Sequence, residues 1–364
     1  MGKKDDLATV IAEQLNKDEG RKVAWFLGKD YDAPTHFHDF ISTGSSLLDI
    51  AISNRKHGGI ACGRITELQG NEASGKSLLA AHMLADTQRR GGVAVLIDTE
   101  TAVNYEFFDA VGLDMKKMVY VTENLIENIF NQIERIIETV RKASKDKLVC
   151  IVVDSVTGAT TEAEAEKSHG IDGYATGKAI IISKALRKIT KLIGDQKIAL
   201  VFTNQLRQKM NAMPFSDPFT TSGGKAIAFH ASTRIRLSLT GTFKDANKEI
   251  VGVKVKAKVI KNRLGPPHRV AEFNILFDRG IDDYASWYDL MLRRKMFGGK
   301  QGHPTWTDPE TKEEFKFQKA TFVEILLGDV DRREKVYNQI ADSMIMSYTD
   351  TDTLVEIPAG PEEA

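Results

Sequence analysis

Eight consecutive residues, Gly70, Asn71, Glu72, Ala73, Ser74, Gly75, Lys76 and Ser77, fit the pattern G-x-x-x-x-G-K-[ST]. Residues of these types at this spacing hold a nucleoside triphosphate. Backbone N–H groups turn inward around the α- and β-phosphates, the lysine reaches the β- and γ-phosphates, and the hydroxyl ligates Mg²⁺. Both glycines stand where a side chain would keep the backbone away from phosphate. A plain glycine turn needs no particular flanks, whereas this loop needs a strand before it and a helix after it. Residues 63–69 read as a short strand and residues 78–85 as a helix.

Two further runs end in acid: Val93-Ala94-Val95-Leu96-Ile97-Asp98 and Val149-Cys150-Ile151-Val152-Val153-Asp154. Unbroken apolar character is the mark of strands buried on both faces of a parallel sheet, and such sheets bind ligands at the carboxyl ends of their strands. That places Glu100 near a γ-phosphate, suited to activate the attacking water. The alternative is a strand-end carboxylate that caps the following turn. Asp154 stands where phosphate-loop ATPases hold Mg²⁺ together with the loop hydroxyl, here Ser77. A third run, residues 198–202, leads to Thr203-Asn204-Gln205, where the Gln205 amide is placed to sense the γ-phosphate.

These elements must be positioned by an α/β fold. The apolar positions from Leu125 to Val140 mark a long amphipathic helix between the acid-ended strands, the arrangement that builds a mostly parallel central sheet. Ahead of this core, Leu7, Val10, Ile11 and Leu15 form one helical stripe, and residues 22–27 read as a strand. A helix and strand that cannot bury themselves form an arm that docks on a neighbouring subunit or packs on its own core. His36 and His38 lack the clustered partners of a metal site. The expected divisions are an arm at 1–36, a nucleotide-binding core at 37–283, a small α+β addition at 284–347 and an acidic tail from 348.

In the 364-residue chain, 50 Lys and Arg balance 50 Asp and Glu, so any polyanion site must be local. Two cysteines, no leader-like start and no apolar run of membrane-spanning length place the chain in a reducing cytoplasm, away from membranes. Two polar, glycine-punctuated stretches, 160–177 and 206–224, leave the nucleotide end of the sheet, and a basic helix carrying Lys178 and Arg187 lies between them. Long loops with cations and aromatics suit a nucleic-acid backbone. Lys254, Lys256 and Lys258 alternate with Val255, Ala257 and Val259 along a strand, an ordinary solvated face. Lys261 and Arg263 fall in the opposite phase, aimed at an anion, either phosphate across a subunit interface or an internal ion pair.

In their order and spacing, several motifs resemble the RecA recombinases. They are Ile41-Ser42-Thr43-Gly44-Ser45, the phosphate loop, Ile97-Asp98-Thr99-Glu100, Val152-Val153-Asp154-Ser155-Val156, Asn204-Gln205-Leu206-Arg207, Thr221-Ser222-Gly223-Gly224, Phe229 with Ala231-Ser232, and Lys261-Asn262-Arg263. Residues 306–311 with Phe315 and Lys319 look more like the carboxyl-terminal part of the tailed-phage UvsX-type recombinases. The resemblance implies a filament on single-stranded DNA that pairs it with homologous duplex, with ATP and Mg²⁺ as cofactors. A mediator and a single-strand-binding protein are implied as partners.

By position the resemblance makes Glu100 the general base and Gln205 the link from γ-phosphate to DNA. Lys261 and Arg263 reach a neighbour's ATP, Phe229 is a polymer contact, and Asn104, Phe107 and Phe277 lie on the base side. It assigns DNA contact to Glu166, Ser168, His169, Gly170, Asp172, Gly173, Tyr174 and Ala175, with Lys178 and Arg187 on the helix beyond. In the second loop it assigns Arg207, Lys209, Met210, Phe215, Thr221, Ser222, Gly223 and Gly224. The sequence departs from the family where Asn104 and Phe107 replace an Asp and a Tyr, where Ala228 replaces a Lys, and where no methionine lies near Ala175. Two other readings remain at this level: a ring helicase of the same fold, and a filament in which ATP switches DNA affinity without hydrolysis.

Overall fold

The computed structural model describes residues 7–27, 29–30, 33, 37–101, 103–165, 174–209, 217–300 and 302–347, and of residues 174–176 the backbone alone. The chain divides into two compact units, Met1–His38 and Asp39–Ala364.

In the first unit the helix Leu7–Asp18 buries none of its residues, and Leu7, Val10, Ile11 and Leu15 stand exposed. The strand expected over residues 22–27 is not formed. Its amides at Val23 and Ala24 instead donate to the Asn16 side-chain oxygen, at 2.6 and 2.8 Å, and the amide of Phe26 donates to Asp30 at 2.6 Å. A single extended segment has no ladder of its own, and side-chain acceptors take its donors.

The second unit is built on a ten-stranded sheet among the described residues. From one edge the strands run Gly280–Asp282, Val270–Leu276, Ile250–Asn262, Thr233–Lys244, Ile65–Gly70, Ala199–Gln208, Val149–Asp154, Val93–Asp98 and Val119–Thr122, with Phe219–Thr221 paired to the far end of Ala199–Gln208. The six strands from Thr233–Lys244 to Val119–Thr122 are mutually parallel and the remainder antiparallel. Val149 to Val153 have no exposed surface, as unbroken apolar runs require.

Helices cover both faces. On one, Ile126, Ile129, Phe130, Ile133 and Ile137 of Ile126–Ala143 meet Ile182, Leu186, Ile189 and Ile193 of Tyr174–Asp195, each set spaced for one helical face. On the other lie Ser46–Ser53 and Lys76–Arg89. The carboxyl-terminal elements join that second cluster: helices Asp283–Arg293 and Val330–Met344, and a small sheet of Gly298–Lys300, His303–Thr307 and Glu314–Lys316. Trp306 is fully buried there and donates to Gln339 at 2.8 Å.

Two sequence-based boundaries shift. The basic helix begins at Tyr174, ahead of the expected Lys178, and the strand read as ending at Phe202 continues to Gln208. The stretch 206–224 is therefore not irregular throughout. Its ends pair as a hairpin, Leu206 with Thr221 and Gln208 with Phe219, and Lys225–His230 follows as a short helix.

Of two buried carboxylates, Asp49 ties together the first turns of the core and Asp283 joins those turns to the carboxyl-terminal elements. Asp49 accepts from the Ser42 hydroxyl at 2.5 Å and from the Thr43 amide and hydroxyl at 2.8 and 2.7 Å. Asp283 accepts from the Ser46 amide at 2.9 Å and from Trp287 at 3.0 Å. Burial pushes Asp49 up to about 7, against the lowering effect of its donors, and Asp283 up to about 6. A carboxyl whose pKa is raised by folding holds its proton more tightly in the folded state. Its contribution to stability is complete below its unfolded value, near 3.8, and is lost as pH rises to about 7. Denaturant unfolding of wild type and Asp49→Asn at a series of pH values checks this: the stability of wild type relative to the variant should decline between about pH 4 and pH 7.

Candidate active site

The strand Ile65–Gly70 ends at the phosphate loop. A Cβ on Gly70 would lie 2.3 Å from the Ser74 hydroxyl and 2.8 Å from the Leu237 carbonyl, and one on Gly75 would lie 2.7 Å from Ile275. Ala73 and Gly75 hold positive φ, 55° and 92°, which turns successive amides to one side. Gly75 begins the helix Lys76–Arg89 without any side-chain cap, so the first amides of that helix face outward to an anion. Lys76 is buried and its ammonium donates to the carbonyls of Gly70 and Asn71, at 3.1 and 2.6 Å. Burial lowers its pKa, and Asp154, Glu72 and Glu100 oppose that shift.

Asp98 and Asp154 sit side by side in register at the ends of their strands. Asp98 accepts from the amides of Glu100 and Thr101, both at 2.9 Å, and from the Tyr120 hydroxyl at 2.9 Å. Capping of the turn thus falls to Asp98, and Glu100 is exposed and faces the cavity. Ser77, Asp98, Glu100, Asn104, Phe107 and Asp154 are among the residues that line a cavity of about 150 Å³. Burial raises the pKa of Asp154, with hydrogen bonds from Thr203 and Ser77 opposing it. A desolvated carboxylate beside a hydroxyl is a donor set that fits Mg²⁺, since oxygen ligands suit a hard cation and the cation would relieve the cost of burying the charge.

On the base side Asn104 caps the helix Tyr105–Ala110 by accepting from the Phe107 amide at 2.9 Å, and Phe107 packs half-buried along the cavity wall. Phe277 is half-exposed and does not line this cavity.

Gln205 lies beside Gly70 in the parallel register, next to the phosphate loop. Its backbone N–H donates to the Thr157 hydroxyl at 3.1 Å, and that hydroxyl donates to Asn204 at 3.1 Å. Asn204 in turn donates to the Ser222 carbonyl and to Glu67, both at 3.0 Å, and accepts from the Ser222 amide at 3.2 Å. Glu67 has no exposed surface and is held by Arg234 at 2.5 Å. Of the expected DNA residues, Arg207 lies on the hairpin strand, Thr221 is buried at its end, and Ser222, Gly223 and Gly224 lead into Lys225–His230. Lys209 donates to the Asp217 carbonyl at 2.6 Å and Lys178 to the Ala159 carbonyl. Arg187 borders a second cavity, of about 470 Å³, with Ile180, Lys225, Phe229 and His230. Glu166, Ser168, His169, Gly170, Asp172, Gly173, Met210 and Phe215 lie outside the described residues, as do the side chains of Tyr174 and Ala175.

Lys261 and Arg263 do not line the nucleotide cavity of their own chain. The Lys261 ammonium donates to the carbonyls of Ala228 and Phe229, at 2.7 and 2.8 Å, at the end of the helix Lys225–His230. Burial lowers its pKa to about 8, with Arg263 and Arg234 adding to the shift and Glu67 opposing it. Phe229 beside it is 69% exposed, unusual for an aromatic ring in a packed core.

A model of the RecA N-terminal domain family matches residues 6–282. The chain belongs to the RecA family. It is 35% identical over 289 residues to Protein RecA of Synechococcus sp. (strain CC9902), covering 79% of this chain and 73% of that protein. It is 31% identical over 366 aligned residues to Protein RecA of Nostoc punctiforme (strain ATCC 29133 / PCC 73102), covering 99% and 98%. The likeness of residues 306–319 to tailed-phage recombinases rests on the sequence motif alone.

Within this RecA-family fold the site includes residues that sequence reasoning left out. Asp98 and Tyr120 fix the turn that presents Glu100, and Asn204, Glu67 and Arg234 tie the second loop to the sheet. Glu67, the one acid in the strand Ile65–Gly70 ahead of the phosphate loop, is the visible signal, because a buried charge demands a partner. Among the described residues no group of three or more His, Cys, Asp or Glu could hold a metal, and no helix is long and apolar enough to cross a membrane. Glu67→Ala should cost about 3–5 kcal/mol in denaturant unfolding, because it strands Arg234 and the Asn204 amide without their acceptor.

Proposed function

We propose that this chain is an ATP-dependent recombinase: it assembles as a helical filament on single-stranded DNA, pairs that strand with homologous duplex, and hydrolyses ATP at subunit interfaces. The observation that carries the reading is the division of the catalytic set. Lys76, Ser77, Glu100 and Asp154 converge at one strand-end site, while Lys261 and Arg263 stand elsewhere as a cationic pair beside the exposed Phe229. A depressed lysine among arginines gains most from an anion brought to it, and a neighbour's triphosphate is such an anion. The exposed stripe on Leu7–Asp18 and the relatives' shared name support assembly and recombination respectively.

Bound ATP with Mg²⁺ supplies the phosphoryl group that is transferred. Loop amides hold its phosphates, and Lys76 turns from the Gly70 and Asn71 carbonyls to the anion. Glu100 takes a proton from the attacking water as the water oxygen bonds to the γ-phosphorus and the bond to the β-bridging oxygen breaks, leaving ADP and phosphate. Lys261 and Arg263 of the adjacent copy stabilise charge on the transferred group, much as an arginine finger does. Gln205, one strand from Gly70 and joined to Thr157, reports phosphate occupancy to the DNA-binding loops. The tailed-phage likeness belongs to the proposal, on the motif around Trp306.

Steady-state phosphate release should rise severalfold or more with single-stranded DNA and nearly vanish in Lys76→Ala; hydrolysis indifferent to DNA would refute the reading. Glu100→Gln and Lys261→Ala should each be inactive alone, yet a mixture of the two should recover hydrolysis. Some interfaces then pair an intact Glu100 with an intact Lys261 from the neighbour. Failure of the mixture to recover activity in filaments seen by electron microscopy would remove the action of Lys261 across the interface.

A further inference from the structure

Resting on the reading of Glu100 as the base, we propose that Ser155 is its positioning residue, and that the turn from Ser155 to Ala159 links that base to the DNA-binding side of the molecule. The Ser155 hydroxyl donates to Glu100 Oε1 at 2.7 Å and accepts from the Gly158 amide at 3.2 Å, so its proton is directed at the carboxylate. Ser155 is itself fixed. It is 4% exposed, its amide donates to the Thr99 hydroxyl at 3.0 Å, and its carbonyl accepts from that hydroxyl at 2.8 Å. Glu100 therefore has one end of an exposed side chain held by a buried, immobile donor, which leaves the other carboxylate oxygen for water.

Gly158 sets the clearance. A Cβ there would lie 2.6 Å from Glu100 Cγ, 2.9 Å from Glu100 Oε1 and 2.7 Å from the Thr99 hydroxyl, so any larger residue pushes the carboxylate out of place.

The same turn is held from its other side by the groups assigned to DNA and γ-phosphate. The Thr157 hydroxyl joins Asn204 and the backbone N–H of Gln205, and Lys178 donates to the Ala159 carbonyl. Within four residues of Ser155 the chain thus touches the base on one side and the anchors of both DNA-binding stretches on the other. A shift of Lys178 or Asn204 when DNA binds reaches Glu100 through the Gly158 amide and the Ser155 hydroxyl.

The test compares full-length Ser155→Ala, Gly158→Ala and Glu100→Gln. Loss of one hydrogen bond to a carboxylate in the transition state predicts that Ser155→Ala lowers kcat with single-stranded DNA about tenfold. KM for ATP should stay within about twofold, because the phosphate loop is untouched. Gly158→Ala should show the same split with the serine present. Both variants should assemble on single-stranded DNA with a non-hydrolysable ATP analogue as wild type does, which separates positioning from misfolding. If both keep wild-type kcat while Glu100→Gln abolishes hydrolysis, the positioning role is wrong and the base assignment stands. A parallel rise in KM with loss of analogue-driven assembly would make Ser155 merely structural. Full hydrolysis in Glu100→Gln would overturn the base assignment itself.

Discussion

Everything at this site depends on the register of the parallel strands. Hydrogen bonding pairs Gly70 with Gln205 and Asp98 with Asp154, and sets Val153 opposite Phe202. Strand ends far apart in sequence therefore finish at nearly one level, each followed by a turn that opens toward the same space. Parallel strands must be separated by crossovers, so each end is free to carry a loop. A slip of one residue would turn Asp154 from the cavity to the opposite face of the sheet.

A second constraint is electrostatic. Lys76 and Lys261 both carry ammonium groups on backbone carbonyls and both are depressed by burial, while Asp154 is raised by it. Among the described residues none of these groups has a charge partner in direct contact, an arrangement that costs stability in one chain. Such a cost is retained where a charged ligand or a second subunit completes the set, in line with the stability that functional sites give up elsewhere.

A short physical route joins the strand beside the phosphate loop to the root of the 206–224 stretch. Asn204 bonds both carbonyl and amide of Ser222 and also the buried Glu67, so the root of the second loop is fixed to the sheet by one amide side chain. Thr157 bonds that same Asn204 and the backbone of Gln205. A polar network of this kind, with its members satisfied and enclosed, holds a discrete geometry and transmits a displacement instead of absorbing it.

The sequence by itself determined the phosphate loop, the two acid-ended strands and the helical faces between them. Each is a local pattern whose chemistry follows from a few adjacent residues: glycines where backbone must approach phosphate, unbroken apolar runs where both faces are covered. It was legible that Glu100 and Asp154 belong beside Lys76, since strand order along the chain implies one ligand-binding edge. What only the tertiary structure decided were relations between distant residues. That Tyr120 holds Asp98, that Ser155 holds Glu100, and that Glu67 meets Arg234 and Asn204 all depend on partners supplied by the fold. Hydrogen bonds and ion pairs act over a few ångströms in space, and sequence periodicity records only which face a residue takes, not whom it meets there.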